Sequence, residues 1–106
     1  MGEQEFYDAA KEAFKRILDA DIVASDFAQK AGLEDNLKST RELAKKFEES
    51  IPEHFRGVFN LIMCYAYKPF GKMPGTASVC REQAQYFLNR ARQYGIEIPN
   101  KKQLPG

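Results

Sequence analysis

The chain holds one histidine and two cysteines, and their neighbours decide what chemistry they offer. His54 follows Glu53, with Glu48 and Glu49 a few residues earlier. A metal site needs two or more nitrogen or sulfur ligands, or a Glu-x-x-His pair on each of two helices. The residue three before His54 is Ile51, so that pattern is missing, and no spacing gives His54 an acid–base partner. The expectation is no metal, no cofactor and no catalytic residue, and so a role other than catalysis. Cys64 sits in an apolar run and Cys80 on a predicted helix beside Val79 and Ala84. Both read as reduced core residues.

Lys68 to Gly75, followed by a helix start at Thr76 to Ser78, has cations close to exposed backbone N–H groups, as an anion site would. It is not a phosphate-binding loop, because Gly71-Lys72-Met73-Pro74-Gly75-Thr76 has no lysine directly before the hydroxyl residue. Its two prolines and two glycines are explained by a connection between helices. Phe27-Ala28-Gln29-Lys30-Ala31-Gly32-Leu33 resembles the first helix and turn of a helix-turn-helix. The second half does not follow: Leu37 arrives one residue early, Lys38 replaces an apolar residue, and Glu34 and Asp35 would face phosphates. A nucleic-acid reading rests instead on the basic C-terminal half, on Arg81, Arg90, Arg92, Lys101 and Lys102 with Tyr86 and Tyr94 interleaved. Arg81, Arg92 and Lys102 are not expected on one helix face, and a net charge of +1 is poor for an unspecific phosphate binder.

These residues must be carried by helices. At 106 residues, 43% hydrophobic and 29% charged, the chain has the composition of one soluble domain. Residues 1–56 carry nine Lys and Arg against thirteen Asp and Glu, and residues 57–106 carry seven against two. From Glu3 to Ala31, Phe6, Ala10, Ala13, Phe14, Ile17, Ala20, Ala24, Phe27 and Ala31 recur every three or four residues, the mark of a buried helix face. A break near Ala20 is allowed, with Asp21 capping a second helix, and Gly32 is placed to end the segment. Asp35 or Asn36 would cap a helix from about Leu37 to Glu49. Ser50-Ile51-Pro52-Glu53 has capping-box spacing and opens a helix reaching about Tyr67.

That helix contains Val58 to Tyr67, in which only Asn60 lacks a substantial apolar surface, so it is expected at the centre, covered on nearly every side. Phe55, Val58, Phe59, Ile62 and Ala66 would form its most buried face. A last helix, capped by Thr76 or Ser78, runs from about Ala77 to Tyr94 and closes with Gly95 and Ile96. Nothing alternates with a two-residue period. The fold expected is all-α: a compact antiparallel bundle of four to five helices over residues 1–96, with a non-helical tail at 97–106.

A bundle this small has few places to hide large side chains. Tyr7, Ile22, Val23, Leu61, Met63, Tyr65, Tyr67, Phe70 and Met73 exceed the stripes already assigned, and exposed apolar surface of that kind marks interfaces. The reading is a small regulatory or inhibitory protein that binds another protein and can homodimerise, with Tyr65, Tyr67, Phe70 and Met73 in contact. Nucleic-acid binding is the alternative, and a small-molecule site or enzyme the second. The acidic start Met1-Gly2-Glu3-Gln4-Glu5 lacks an apolar signal segment, and no run approaches a membrane span, so no membrane partner and a cytoplasmic location are expected.

Overall fold

The computed structural model describes residues 1–32, 37–72 and 77–96. It is an all-α bundle of four helices: α1 (Glu3–Ala31), α2 (Lys38–Ser50), α3 (Glu53–Tyr67) and α4 (Ala77–Gln93). A 3-10 helix, Lys68–Lys72, prolongs α3, and no strand occurs among the described residues. The expected tail and the expected caps Asp35, Asn36 and Thr76 lie outside the described residues.

Local chemistry explains most of the boundaries. α1 runs unbroken through Ala20, so the expected break is absent. It stops at Gly32, whose left-handed φ of 69° lets its N–H reach the carbonyls of Ala28 and Gln29. Leu37 occupies the N-cap position of α2. The capping box does not form: Ser50 Oγ donates to Phe47 O at 2.7 Å, and Pro52 stands at the N-cap of α3. Pro69 and Gly71 do not open a loop at once, since the tighter 3-10 turn accepts both. α4 ends as expected: Gly95 has φ 87°, its N–H reaches Arg92 O, and Ile96 N–H reaches Ala91 O.

Aromatic rings knit the helices. Phe6 of α1 stacks on Phe55 of α3 at 4.3 Å, Phe14 meets the Tyr67 ring edge-on at 5.2 Å, and Phe47 of α2 lies 4.6 Å from Phe59. Tyr67 and Phe87 stack across α3 and α4 at 5.9 Å. The buried face of α3 is turned from the expected one. Gly57, Phe59, Asn60, Met63, Cys64 and Tyr67 are buried, whereas Phe55, Val58, Ile62 and Ala66 are only half-buried and Tyr65 is exposed. α4 and the residues Tyr94 to Ile96 that follow it take the side that carries Gly57, so that side of α3 is sheathed and Tyr65 is left exposed.

Gly57 shows why. A Cβ there would lie 2.8 Å from Ile96 Cγ1 and 3.1 Å from Tyr94 Cβ. Gly57→Ala is therefore expected to destabilise the fold by about 1–3 kcal/mol through overpacking, despite alanine's better helix propensity. Urea denaturation checks this, with a neutral or stabilising result showing that the end of α4 yields freely.

Candidate protein-binding site

The surface of α1 is set by what the helix hides. Its buried residues are Phe6, Ala10, Ile17, Asp21, Ser25 and Ala28. At about 100° per residue, the stripe Ala20, Ala24, Phe27 and Ala31 falls roughly one residue away from Asp21, Ser25 and Ala28. Asp21 wins the interior because the other helices bring donors to meet it. Tyr67 OH of α3 donates to Asp21 Oδ2 at 2.6 Å, and Gln83 Nε2 of α4 donates to both carboxylate oxygens at 3.2 and 3.0 Å. Gln83 Nε2 also donates to Thr40 Oγ1 of α2 at 3.1 Å, and Gln83 Oε1 accepts from Arg41 Nε at 3.1 Å. Asp21, Thr40, Tyr67 and Gln83, one residue from each helix, are all buried. Burial and the adjacent Asp21 carboxylate push the Tyr67 phenol well above its ordinary range, so it stays a donor. These four buried side chains orient the helices against one another.

A second polar cluster fastens the far end of α2. Glu48, also buried, accepts from Arg90 Nε at 2.9 Å, from Arg90 Nη2 at 2.8 Å and from Tyr94 OH. The Tyr86 ring stands between the clusters, with the guanidinium carbons of Arg41 and Arg90 at 4.4 and 5.9 Å from its centroid.

With Asp21 inward, the alanine and phenylalanine stripe is left outward. Ala9, Ala13, Ala20 and Ala24 are half-buried, while Val23 and Phe27 are 69% and 67% exposed. α2, at 13 residues, covers less than half of the 29-residue α1. Beside it runs a mainly apolar groove of about 340 Å3, lined by Ala9, Glu12, Ala13, Arg16 and Ile17 of α1 and by Leu43 and Phe47 of α2. Leu43, expected on the buried stripe of α2, is 46% exposed at this groove. Exposed apolar side chains next to a concave apolar surface are the physical signature of a docking site.

The contact residues expected from sequence are not gathered in one place. Tyr65 is 45% exposed with Lys68 Nζ 5.0 Å above its ring. Tyr67 has no exposed surface and belongs to the core, a correction forced by its bond to Asp21 and its stacking on Phe87. Phe70 is half-buried with its ring 6.2 Å from Phe14, and Met73 lies outside the described residues.

The basic residues divide likewise. Arg90 is taken up by Glu48 and is withdrawn from the nucleic-acid set. Arg81 and Arg92 are exposed and, eleven residues apart, share a face of α4 to within about 20°, contrary to expectation. Arg81 Nη1 donates to Gly71 O at 3.0 Å; Lys101 and Lys102 lie outside the described residues. His54 is exposed with its ring 4.3 Å from that of Phe55, and no group of three metal-ligating side chains occurs among the described residues. Cys64 and Cys80 are free and buried, and burial pushes the Cys64 thiol up.

Sequence reasoning passed over Val23, Phe27 and Leu43 as contact residues. A signal existed: Asp21 and Ala28 continue the phase of Phe6, Ala10 and Ile17 through spacings of four, seven, four and seven. Following it requires accepting a buried carboxylate, which hydrophobic periodicity alone rejects. Compared with models of known families, with curated proteins and with solved structures, the chain matches none. No helix among the described residues is long and apolar enough to cross a membrane.

Proposed function

We propose that the protein acts by binding another polypeptide, as a small regulatory or inhibitory partner, and that the α1/α2 groove is where it does so. The observation that supports this most directly is the mainly apolar groove lined by Ala9, Ala13, Phe47 and Leu43, with Val23 and Phe27 exposed further along α1. Its shape suits the apolar face of an amphipathic helix, which presents side chains at three- and four-residue spacing. The small alanines allow close approach, and the exposed Phe27 supplies the aromatic anchor that interfaces favour. Two free buried thiols fit a reducing compartment and hence the cytoplasm.

Phe27→Asp and Leu43→Asp test this. Phe27 is largely exposed and Leu43 46% exposed, so each variant is expected to stay folded, losing no more than about 2 kcal/mol when melted at low protein concentration. Each should lose polypeptide partners captured by the parent protein from native lysate. Unchanged capture by both variants refutes the groove.

A second reading rests on the outer face of α4, where Arg81, Gln85, Asn89 and Arg92 are exposed and fall on one side. Such side chains suit phosphates and base edges. Under this reading, nucleic-acid binding falls steeply with salt and is lost in an Arg81→Ala, Arg92→Ala double variant. Salt-independent or unaltered binding rejects it.

A further inference from the structure

We infer that the occupant of the α1/α2 groove is α1 of a second copy, laid antiparallel about a two-fold axis near residue 18. This rests on the reading of the groove as a protein-binding site and names its partner.

α1 is self-complementary along its length. The two most exposed large apolar residues of α1, Val23 and Phe27, are four residues apart. The two small residues lining the groove, Ala9 and Ala13, are also four apart. Antiparallel pairing about residue 18 brings Phe27 level with Ala9 of the second copy; Val23 comes level with Ala13 but, about 80° from it around α1, lies on the edge that carries Glu12 and Arg16. Because a two-fold axis makes the patch meet itself, the Phe27 placement occurs twice. Phe27 and Ala9, eighteen residues apart, share an azimuth on α1, so they face each other at the centre of the contact. Phe27 then enters the groove beside Leu43 and Phe47, and α2 of each copy flanks the pair.

The charges select the same direction. One edge of the α1 stripe carries Glu5, Arg16, Asp19 and Lys30, all exposed. Antiparallel pairing sets Arg16 near Asp19 and Glu5 near Lys30 of the second copy. In-register parallel pairing would instead set Phe27 on Phe27, leaving the groove empty, and would turn the two charged edges to opposite sides of the contact, where they could not pair. Within one copy, Arg16 lies 3.9 Å from Glu12 and Lys30 lies 3.0 Å from Asp26. These pairs are solvent-exposed, so exchanging partners costs little.

The test uses the full chain. Sedimentation equilibrium from about 1 μM to about 1 mM is expected to show a reversible monomer–dimer equilibrium, weakened at least about tenfold by Phe27→Ala. Glu5→Cys mixed with Lys30→Cys is expected to form a disulfide between the two variants on mild oxidation. Glu5→Cys alone should not link to itself, because the two copies of residue 5 lie about 38 Å apart along antiparallel helices. Self-linking of Glu5→Cys, failure of the mixed pair to link, a dimer indifferent to Phe27→Ala, or a monomer at every concentration overturns the inference. A monomer whose partner capture is still abolished by Phe27→Asp and Leu43→Asp overturns the second copy alone. Capture unaffected by those variants refutes the groove itself.

Discussion

Gln83→Leu is expected to destabilise the protein by about 3–5 kcal/mol, a large part of the roughly 5–15 kcal/mol that holds a domain of this size together. Leucine is only about one methylene larger, so the loss is chiefly one of hydrogen bonding, with a smaller contribution from packing. Gln83 has no exposed surface, and its amide serves Asp21, Thr40 and Arg41 at once. Leucine leaves the Asp21 carboxylate with Tyr67 OH as its remaining side-chain donor among these residues, and takes the acceptor from Arg41 Nε. Removing one partner of a buried charge exposes the full cost of its desolvation, whereas removing the whole polar group does not. The triple variant D21L/Y67F/Q83L should accordingly be more stable than Gln83→Leu alone. Urea denaturation decides between these orders. A single variant as stable as the parent would mean that the cluster contributes nothing to holding the four helices in place.

Arg90→Ala is expected to cost a similar amount, about 3–5 kcal/mol, and to change how stability depends on pH. Burial by itself pushes the Glu48 carboxyl up, but hydrogen bonds from Arg90 and Tyr94 and the guanidinium charge outweigh it and hold the group below its ordinary value. A carboxyl lowered on folding stabilises the protein fully above its unfolded pKa and loses that contribution as the pH falls through the folded value. The parent protein should therefore hold its Glu48 contribution down to pH values below the usual carboxylate range. Without Arg90, burial is opposed mainly by Tyr94 and Asn60, so loss of stability on acidification should begin at higher pH. Urea melts of both proteins between about pH 3 and pH 7 report the shift. Acid limbs that superimpose would show that the Glu48–Arg90 pair is not what acid breaks. Tyr94, pushed up chiefly by its bond to Glu48, remains a donor throughout this range.

The two clusters mark where the molecule departs from its sequence pattern. Helix type and several helix ends are local properties. Glycines at 32 and 95 supply left-handed stops, Pro52 stands at a helix start, and three- and four-residue spacing allows no sheet. All of this was legible in the chain. Which side of each helix turns inward was not, because periodicity counts apolar residues and assigns polar ones to solvent. α1 hides Asp21 and Ser25 and shows Val23 and Phe27; α2 hides Thr40 and Glu48 and shows Leu43; α3 hides Asn60 and half-exposes Ile62.

The main reversals have partners on other helices: Tyr67 and Gln83 for Asp21, Gln83 for Thr40, Arg90 for Glu48. Those partners are up to 62 residues away in the chain, and no local spacing announces them. Residue pattern was enough to specify an all-α protein of four to five helices with large apolar side chains beyond its buried stripes; that residues 3–31 form one helix came from the fold. Tertiary structure alone decided where the surplus lies, moving it from the end of α3 to the flank of α1. The physical reason is that a buried carboxylate must follow its donors, and turning a straight helix to satisfy Asp21 turns Val23 and Phe27 out.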